Sequence, residues 1–406
     1  MNVKVILGTM QNARRLVSIA ETIPCEVELC DGRYIVNAKS MLGVLSLPGM
    51  ETGELKIHTE EEEECKKILR QLSEAGLLPE QKDVVSWTND ITVFGEILID
   101  FTSCGFNEDG QMLYARNPGG APANVAVAAR KLGAKTAFLG KAGKDMHGEF
   151  LHSVLEKEKV DTKGFVLDER YFTTLAFVQV NEEGERTFAF ARKPGADTMI
   201  EQDEINLEIL DHTKIFHVGS LSLTAQPARE TTFYAVKRAK EKGSIISYDP
   251  NYRASLWKDE ETAKKHMRSL VPYVDVMKIS DEETELLTGK QDVEKAAEIL
   301  FRQGVKIVVV TLGGKGAYIY CKEGGCLVLG FQVTRVADTN GAGDSFWGGF
   351  LYKISRTEKL LEEITKQEIV QYARLGNAVA SLCVEKKGAI PAMPERKAVE
   401  ERMEKK

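Results

Sequence analysis

The feature that most constrains the fold is a regular alternation of short apolar segments with amphipathic segments beyond residue 91. The apolar segments predict buried strands at residues 92–99, 136–139, 215–218, 245–248, 274–279 and 306–311. Segments with helical apolar spacing lie between them, at residues 121–132, 148–157, 228–241, 262–270 and 293–303. Strands and helices that alternate with short connections predict an α/β fold with a doubly wound, mostly parallel sheet. Ligands of such a sheet bind beyond the carboxyl ends of its strands.

Two segments interrupt this alternation, and both predict additional strands. They are residues 101–118 and 172–192, of which the second reads as an antiparallel pair around the turn 181–185. A small β lid of this kind could close over a substrate. Closure would exclude water, which otherwise competes for a transferred group.

A different pattern comes before residue 79. Residues 1–78 predict the order βαββαβα, with a hairpin turn at Asp31-Gly32, and therefore a separate α+β domain. Residues 79–90 lack clear periodicity and are interpreted as a linker, which leaves residues 91–398 as the α/β domain. A chain of 406 residues exceeds one typical domain of roughly 100–200 residues, so two units are expected.

Composition excludes several classes of partner. The net charge is −7 and no long basic run occurs, which argues against binding to nucleic acid or to an anionic membrane. No apolar run is long enough to span a bilayer, and the N-terminus has no secretory pattern. The seven cysteines are scattered and odd in number, as expected of reduced thiols in a cytoplasmic protein.

The stretch 336–350 carries the strongest chemical signal. It is interpreted as the end of a strand, a turn containing Gly341 and Gly343, and the start of a helix. Glycines allow close backbone approach, and the first amides of a helix lack intrahelical acceptors, so together they can hold a phosphate. Asp344 would lie beside that phosphate, where a carboxylate can take a proton from an attacking hydroxyl. An ordinary turn with a carboxylate matched to the helix dipole is the alternative.

Two further sets of residues are expected at the sheet edge. Asp100 is predicted at the tip of the strand 92–99, where it could accept hydrogen bonds from hydroxyls or simply face solvent. Gly119 and Gly120 precede a helix that carries Asn124, an amide able both to donate and to accept. A plain helix N-terminus is the alternative for this segment.

These motifs resemble those of the ribokinase-like (PfkB) carbohydrate kinases. The string 338–344 resembles the second signature of that family, and the string 117–124 resembles the first, in its fructokinase variant. The resemblance implies Asp344 as catalytic base and Gly341, Ala342 and Gly343 as the anion hole. It also implies that Asp100, Gly119, Gly120 and Asn124 bind the sugar, and that the lid is used in homodimer contacts.

Other segments resemble fructokinases from about residue 93 to 394. The resemblance implies that Arg192, Asp249 and Arg253 bind sugar or phosphate, although Arg192 could equally be a solvated lid charge. Glu283 would organise magnesium through water, with an acidic helix start capped by Ser280 as the alternative. The implied ATP-binding residues are Lys278, Thr311, Gly313, Gly316 and Asn377, and helix packing is the alternative for the last of them.

Residues 1–78 resemble HPr, the phosphocarrier protein of the sugar phosphotransferase system, in element order and in the string 37–47. Asn12 stands where HPr carries its phosphorylated histidine, and an amide cannot accept the phosphoryl group, so no phosphocarrier role is expected. Ser40 matches the serine that an HPr kinase phosphorylates in some bacteria, and is a regulatory candidate. A helix N-cap is the structural alternative.

The sequence as a whole therefore predicts an ATP-dependent sugar kinase that converts D-fructose to fructose 6-phosphate. ATP and Mg²⁺ are the implied cofactors, with K⁺ as an optional further cation, and an HPr-type regulatory protein is the implied partner of residues 1–78. A 2-keto-3-deoxygluconate kinase is the enzymatic alternative. A non-catalytic, sugar-responsive regulator is the alternative from another class.

Overall fold

The structure is a computed structural model that describes residues 1–31, 34–47, 51–59, 61–78, 87–180 and 186–404. Side chains are described for these residues except 62, 179–180 and 186–188. The predicted turn 181–185 and residues 79–86 of the predicted linker lie outside the described residues. The chain divides into two compact units, Met1–Val85 and Ser86–Lys406, which are taken separately below.

Unit 1 is a four-stranded antiparallel sheet with three helices. Its strands are β1 (Asn2–Ile6), β2 (Val27–Asp31), β3 (Tyr34–Asn37) and β4 (Thr52–Ile57), in the spatial order β1-β4-β2-β3. Its helices are α1 (Met10–Thr22), α2 (Met41–Leu45) and α3 (Glu62–Glu74). Alternate strand residues and the apolar stripes of the helices form its core, which includes Leu16, Leu29, Leu55 and Leu72.

Polar side chains cap two of the three helices of unit 1. The side chain of Thr9 caps α1, and Ser40 caps α2 by accepting from the amide of Gly43 at 3.2 Å. The side chain of Thr59 does not cap α3, because the N-cap position is Glu61. Thr59 instead accepts from the amide of Glu61 at 3.3 Å and so lies just before the helix.

Unit 2 is built on a nine-stranded sheet in the order β17-β16-β15-β14-β13-β12-β5-β8-β9. Its strands are β5 (Asn89–Phe94), β8 (Thr136–Gly143), β9 (Asp161–Asp168), β12 (Thr213–Val218), β13 (Ile245–Tyr248), β14 (Val276–Ser280), β15 (Ile307–Thr311), β16 (Gly316–Cys321) and β17 (Gly324–Leu329). All neighbours pair in parallel except at β15-β16 and β16-β17. The predicted mostly parallel sheet is therefore confirmed. The last two residues of the predicted linker, Asn89 and Asp90, belong to β5.

A second sheet of four strands forms the lid. Its strands are β6 (Leu98–Phe106), β7 (Met112–Gly119), β10 (Leu175–Val180) and β11 (Arg186–Ala191), in the order β11-β10-β6-β7. The single strand predicted over residues 92–99 is wrong, because the chain leaves the main sheet after Phe94 and enters the lid at Leu98. The apolar run continues through the bend since Phe94, Ile97 and Leu98 are all buried. The sequence period therefore carries no sign of the bend.

Helices cover both faces of the main sheet. They are α4 (Ala121–Lys131), α5 (Met146–Lys157), α6 (Leu207–Asp211), α7 (Ala228–Glu241), α8 (Glu260–Leu270), α9 (Thr284–Thr288), α10 (Val293–Arg302), α11 (Ala342–Arg356), α12 (Lys366–Cys383) and α13 (Arg396–Glu404). One apolar core lies under α4, α5, α11 and α12, and another under α7, α8 and α10. None of the helices in the described ranges has the length and apolar character that a membrane span requires.

Candidate active site

The N-terminus of α11 is the centre of the site. Gly341 precedes it with φ +75°, and a Cβ there would come within 2.7 Å of the Cβ of Ala389, so only glycine fits. The residues before it form a loop rather than the expected strand end. The amide of Ala342 donates to the carbonyl of Thr339 at 3.3 Å, whereas those of Gly343 and Asp344 have no acceptor among the described residues. Two free amides at the positive end of a helix dipole can bind an anion.

Asp344 lies in the first turn of α11 and is buried. Its Oδ2 accepts a hydrogen bond from Nδ2 of Asn124 at 2.8 Å, a contact that joins α11 to α4. Burial and the nearby charge of Asp249 raise the pKa of Asp344 to about 6, against the opposing effects of Lys278, Asn124 and Arg253. The carboxylate is therefore ionised at neutral pH yet basic enough to accept a proton from an alcohol.

An ion pair lies next to this carboxylate. Nζ of Lys278, on β14, donates to Oδ2 of Asp249, which follows β13, at 2.5 Å. Glu283 is also buried, and its two oxygens accept the amides of Tyr252 and Ser280 at 2.6 and 2.8 Å. Burial and the charge of Asp249 raise the pKa of Glu283. These groups gather at the carboxyl edge of neighbouring parallel strands, where the fold places ligands.

Asp100 belongs to the lid, because it lies on β6 and not at the tip of a strand of the main sheet as predicted. Its Oδ2 accepts from Nδ2 of Asn340 at 3.3 Å, which ties the lid to the loop before α11. Burial raises the pKa of Asp100 to about 6, although the hydrogen bond from Asn340 and the charge of Arg253 oppose the shift. A Cβ on Gly119 would lie 2.3 Å from that same oxygen, so the glycine leaves the space that the carboxylate occupies.

Glu96 is a buried residue at the lid junction, and no local sequence motif marks it as part of the site. It lies in the bend between β5 and β6, and its Oε1 accepts the amide of Ala121 at 3.0 Å. Burial raises the pKa of Glu96 to about 7. A Cβ on Gly120 would come within 2.5 Å of the Glu96 carbonyl oxygen, so the bend packs directly on the start of α4. This packing sets the position of Asn124 one turn further on.

A cavity of about 440 Å³ lies at the N-terminus of α11. It brings together the predicted residues Thr311, Gly313, Gly316 and Asn377 with Ala342 and Gly343 of the glycine turn. Its remaining lining was missed and is largely apolar: Gly314, Gly330, Phe331, Gln332, Val333, Val336, Thr339, Phe346, Ala380, Ser381 and Val384. An apolar cleft that ends on free amides fits a flat base followed by phosphates.

Asn377 and Lys278 differ in how far they match their predicted ATP-binding roles. Nδ2 of Asn377 donates to the carbonyls of Val328 and Leu329 at 3.1 Å each, so this amide holds α12 against β17. Helix packing, the structural alternative, accounts for those contacts, although Asn377 also lines the cavity. Lys278 is absent from the cavity lining and lies instead at the glycine turn.

Arg192 is not a solvated lid charge, because only 4% of its side chain is exposed. Its guanidinium donates to Oδ2 of Asp197 at 2.5 and 2.8 Å, to Oγ1 of Thr224 at 2.8 Å and to the carbonyl of Leu221 at 3.0 Å. The structure therefore places Arg192 in a buried ion pair at the end of the lid. Arg253 lies nearer the centre of the site, since its charge acts on both Asp100 and Asp344.

Direct metal ligation by the protein finds little support. Within the described ranges no three His, Cys, Asp or Glu side chains come together as a metal site. Both oxygens of Glu283 already accept backbone amides, whereas Oδ1 of Asp249 is buried without a partner. An open acceptor such as Oδ1 of Asp249 fits a hydrated magnesium ion whose direct ligands are phosphate oxygens.

The fold and the site define a class of protein. A doubly wound sheet carries a β lid, and a buried carboxylate lies beside free helix amides at the end of a base-sized cleft. This arrangement suits phosphoryl transfer to an alcohol. The sequence profile of the pfkB family carbohydrate kinases matches residues 88–396, and the chain belongs to that family.

Several of the similar proteins are named as fructokinases. A probable fructokinase-2 of Arabidopsis thaliana is 42% identical over 307 residues, which are 75% of this chain and 92% of the relative. Fructokinase from Xylella fastidiosa, solved with bound ATP, superposes with a TM-score of 0.72 at 32% identity and covers 78% of this chain and 98% of its own. Fructokinase from Vibrio cholerae O395, solved with fructose, ADP and calcium, gives 0.70 at 33% identity over 77% and 98%. The family match leaves unit 1 outside it.

Proposed function

We propose that this protein is an ATP-dependent kinase that transfers a phosphoryl group to the primary hydroxyl of D-fructose and forms fructose 6-phosphate. The observation that carries the proposal is the buried Asp344 carboxylate beside the free amides of Gly343 and Asp344. The fructokinase relatives support fructose as the acceptor.

Asp344 acts as the general base. Asn124 occupies Oδ2, which leaves Oδ1 of Asp344 to receive the proton of the sugar hydroxyl. As that proton leaves, the sugar oxygen forms a bond to the terminal phosphorus, and the bond from this phosphorus to the bridging oxygen of ADP breaks. The amides of the glycine turn take up the charge that develops on the transferring group.

Polar side chains near the bend between β5 and β6, where the chain passes from the main sheet to the lid, bind the sugar. Asp100 and Asn124 are the principal partners of the sugar, and Gly119 and Gly120 leave the space that the Asp100 carboxylate and the bend at Glu96 occupy. The adenine and ribose occupy the cavity between Phe331 and α12. Magnesium, when bound with ATP, would offset the charge of the phosphates. Oδ1 of Asp249, which is buried without a partner among the described residues, would accept a hydrogen bond from one of its water ligands. The role of Glu283 stays a prediction, because both of its oxygens already accept backbone amides. A requirement for K⁺ stays a prediction.

The structure weakens both alternatives. A 2-keto-3-deoxygluconate kinase needs a cation for the carboxylate of its substrate, and Arg192, a candidate for that cation, is already bound to Asp197. A non-catalytic regulator has no need of a buried carboxylate with a raised pKa beside free amides.

A substrate panel tests the proposed function. The intact protein is assayed for ADP release with ATP and a series of free sugars and sugar acids, and the product is examined by ³¹P NMR. We expect turnover with fructose and a phosphate monoester on its primary hydroxyl, with a much smaller kcat/KM for 2-keto-3-deoxygluconate. Turnover of the sugar acid alone would favour the alternative kinase, and ADP release with none of the compounds would refute the kinase assignment.

We also propose that the lid pairs two copies of the chain. Phe106 and Met112 are exposed, at 66% and 38%, and Phe101 and Phe177 stack at 5.4 Å between ring centroids. An apolar edge of this kind on a soluble domain is suited to a protein contact.

Unit 1 is proposed to be an interaction module of the HPr type without phosphocarrier activity. Its element order βαββαβα is that of the predicted HPr-like open-faced sandwich, and Asn12 cannot carry phosphate. The proposed partner is an HPr-type regulatory protein.

Phosphorylation at Ser40 gives a separate test of this proposal. Ser40 caps α2, and a phosphate there would lie at the positive end of that helix, which favours it electrostatically. Incubation of the intact chain with an HPr kinase and ATP is expected to add one phosphoryl group at Ser40, detected by peptide mass analysis. The Ser40→Ala variant serves as control, and an unlabelled wild-type Ser40 would leave only the capping role.

A further inference from the structure

Lys278 lies closer to the glycine turn than an ATP-binding role alone requires. A Cβ on Gly343 would be 3.0 Å from Nζ of Lys278, so the ammonium is adjacent to the free amides of α11. The residue is 5% exposed and comes from β14 of the rigid main sheet rather than from the lid. Its position therefore does not depend on lid closure.

The ammonium also has unused donors. It carries three N–H groups, and its one hydrogen bond within the described part of the chain goes to Oδ2 of Asp249 at 2.5 Å. A buried donor without an acceptor is costly, so the remaining N–H groups indicate that an acceptor is brought by a ligand. The neighbouring amides of Gly343 and Asp344 show the same deficit.

Lys278 is charged whenever the site is intact. Burial by itself would lower its pKa, but the carboxyl groups of Asp249, Glu283 and Asp344 outweigh burial, and the pKa is raised. Lys278 thus faces three buried acids at the point where a phosphate would enter. Without it, the negative field of those acids would oppose an incoming triphosphate.

Building on the proposed function, we propose that Lys278 is a catalytic residue that donates hydrogen bonds to the transferring phosphoryl oxygens. Asp249 is a positioning residue that holds this ammonium and does not bind the sugar. Lys278 keeps its proton throughout, because the proton of the sugar goes to Asp344. The lysine and the two amides together surround the phosphoryl group as its charge is redistributed.

A set of three variants separates this role from mere charge balance. Lys278→Met alone leaves Asp249 buried and unpaired, and it could simply unfold. The double variant Lys278→Met/Asp249→Asn removes both charges and keeps similar shapes, so it is expected to unfold near the wild-type temperature. Asp249→Asn alone keeps the lysine. We expect the double variant to lose kcat by about 10²–10³-fold, as for removal of an oxyanion donor. Asp249→Asn should lose clearly less, because it keeps the lysine charge and an oxygen that can accept its hydrogen bond.

A transition-state analogue supplies a readout that a structural role would not move. The double variant is expected to bind ADP as wild type does, but to bind ADP with aluminium fluoride and fructose more weakly, by the same factor as its loss of kcat. A double variant with wild-type kcat would overturn the proposal, as would equal weakening of ADP alone. A rise in fructose KM in Asp249→Asn with unchanged kcat would overturn the role given to Asp249.

Wild-type turnover distinguishes this inference from the function on which it rests. If the wild type phosphorylates fructose and the double variant has the same kcat, only the proposal on Lys278 is refuted. A wild type that phosphorylates no sugar removes the proposed function and the lysine proposal with it.

Discussion

Asp344→Asn is expected to lower kcat by about 10²–10⁴-fold, the range that general base catalysis contributes. The amide keeps the shape of the carboxylate but cannot accept the proton of the sugar hydroxyl. The KM for ATP and for fructose should change little, because the free amides of α11 and the sugar contacts stay in place. Steady-state kinetics together with the thermal unfolding midpoint would measure the effect on a folded protein.

The matched control for this variant is Asp259→Asn. Asp259 is an exposed N-cap of α8 and accepts the amide of Thr262 at 2.7 Å, and asparagine caps helices about as well as aspartate. It should therefore leave both activity and stability unchanged. Wild-type kcat in Asp344→Asn would show that some other group removes the proton.

The pH dependence of the wild-type enzyme follows from the same carboxylate. Burial raises the pKa of Asp344 to about 6, and only the ionised form can act as base. Activity should thus be full above this pH and fall about tenfold per unit as the pH drops below it. Asp100 also has a pKa of about 6 and could contribute to the fall. An Asp100→Asn variant that keeps the acid limb in kcat would assign that limb to Asp344.

Lys141→Met is expected to cost about 3–5 kcal/mol of folding free energy, the usual result of removing one partner from a buried ion pair. Nζ of Lys141 is fully buried on β8 and contacts Oδ2 of Asp168 at 2.8 Å, Oε1 of Glu204 at 2.5 Å and the carbonyl of Met199 at 3.0 Å. Methionine would leave Glu204 and the carbonyl of Met199 without this donor, and Asp168 with Arg170 as its remaining cationic partner. Urea unfolding should show a lower midpoint for unit 2 with an unchanged slope.

Lys144→Met provides the comparison, since the Lys144–Glu169 pair at 2.5 Å has side chains that are 53% and 76% exposed. Solvent screens such a pair, so its loss should not be resolved from wild type. Equal midpoints for the Lys141 and Lys144 variants would mean that the buried network contributes no more than a surface pair.

The sequence was informative wherever a local string carries the chemistry. The strings 338–344 and 117–124 identified Asp344, the glycine turn and Asn124, because a turn and the helix after it are fixed by neighbouring residues. Six of the nine strands of the main sheet were predicted as well, since strands buried on both faces read as apolar runs, whereas β9, β16 and β17 were not. The bend between β5 and β6 could not be predicted, because it lies within one continuous apolar run.

Contacts between distant residues could not be predicted from local pattern. Asp249 and Lys278 form an ion pair because β13 and β14 are neighbours in the sheet. The sequence of neither strand indicates which strand lies beside it. The apolar wall of the nucleotide cavity did leave a signal. One face of a helix is indicated by the spacing of residues 377, 380, 381 and 384, which line the cavity. The same spacing is expected of any helix that packs on a core, so it does not identify a ligand cavity.

The central claim is that a hydroxyl loses its proton to Asp344 while the transferred phosphate lies against the amides of the glycine turn. A crystal structure with ADP, aluminium fluoride and fructose tests this most directly. We predict a carboxylate oxygen of Asp344 at about 2.6–3.2 Å from the primary hydroxyl, with the fluoride hydrogen-bonded to the amides of Gly343 and Asp344. A fluoride bound away from those amides, with the Asp344 carboxylate out of reach of the sugar, would contradict the account.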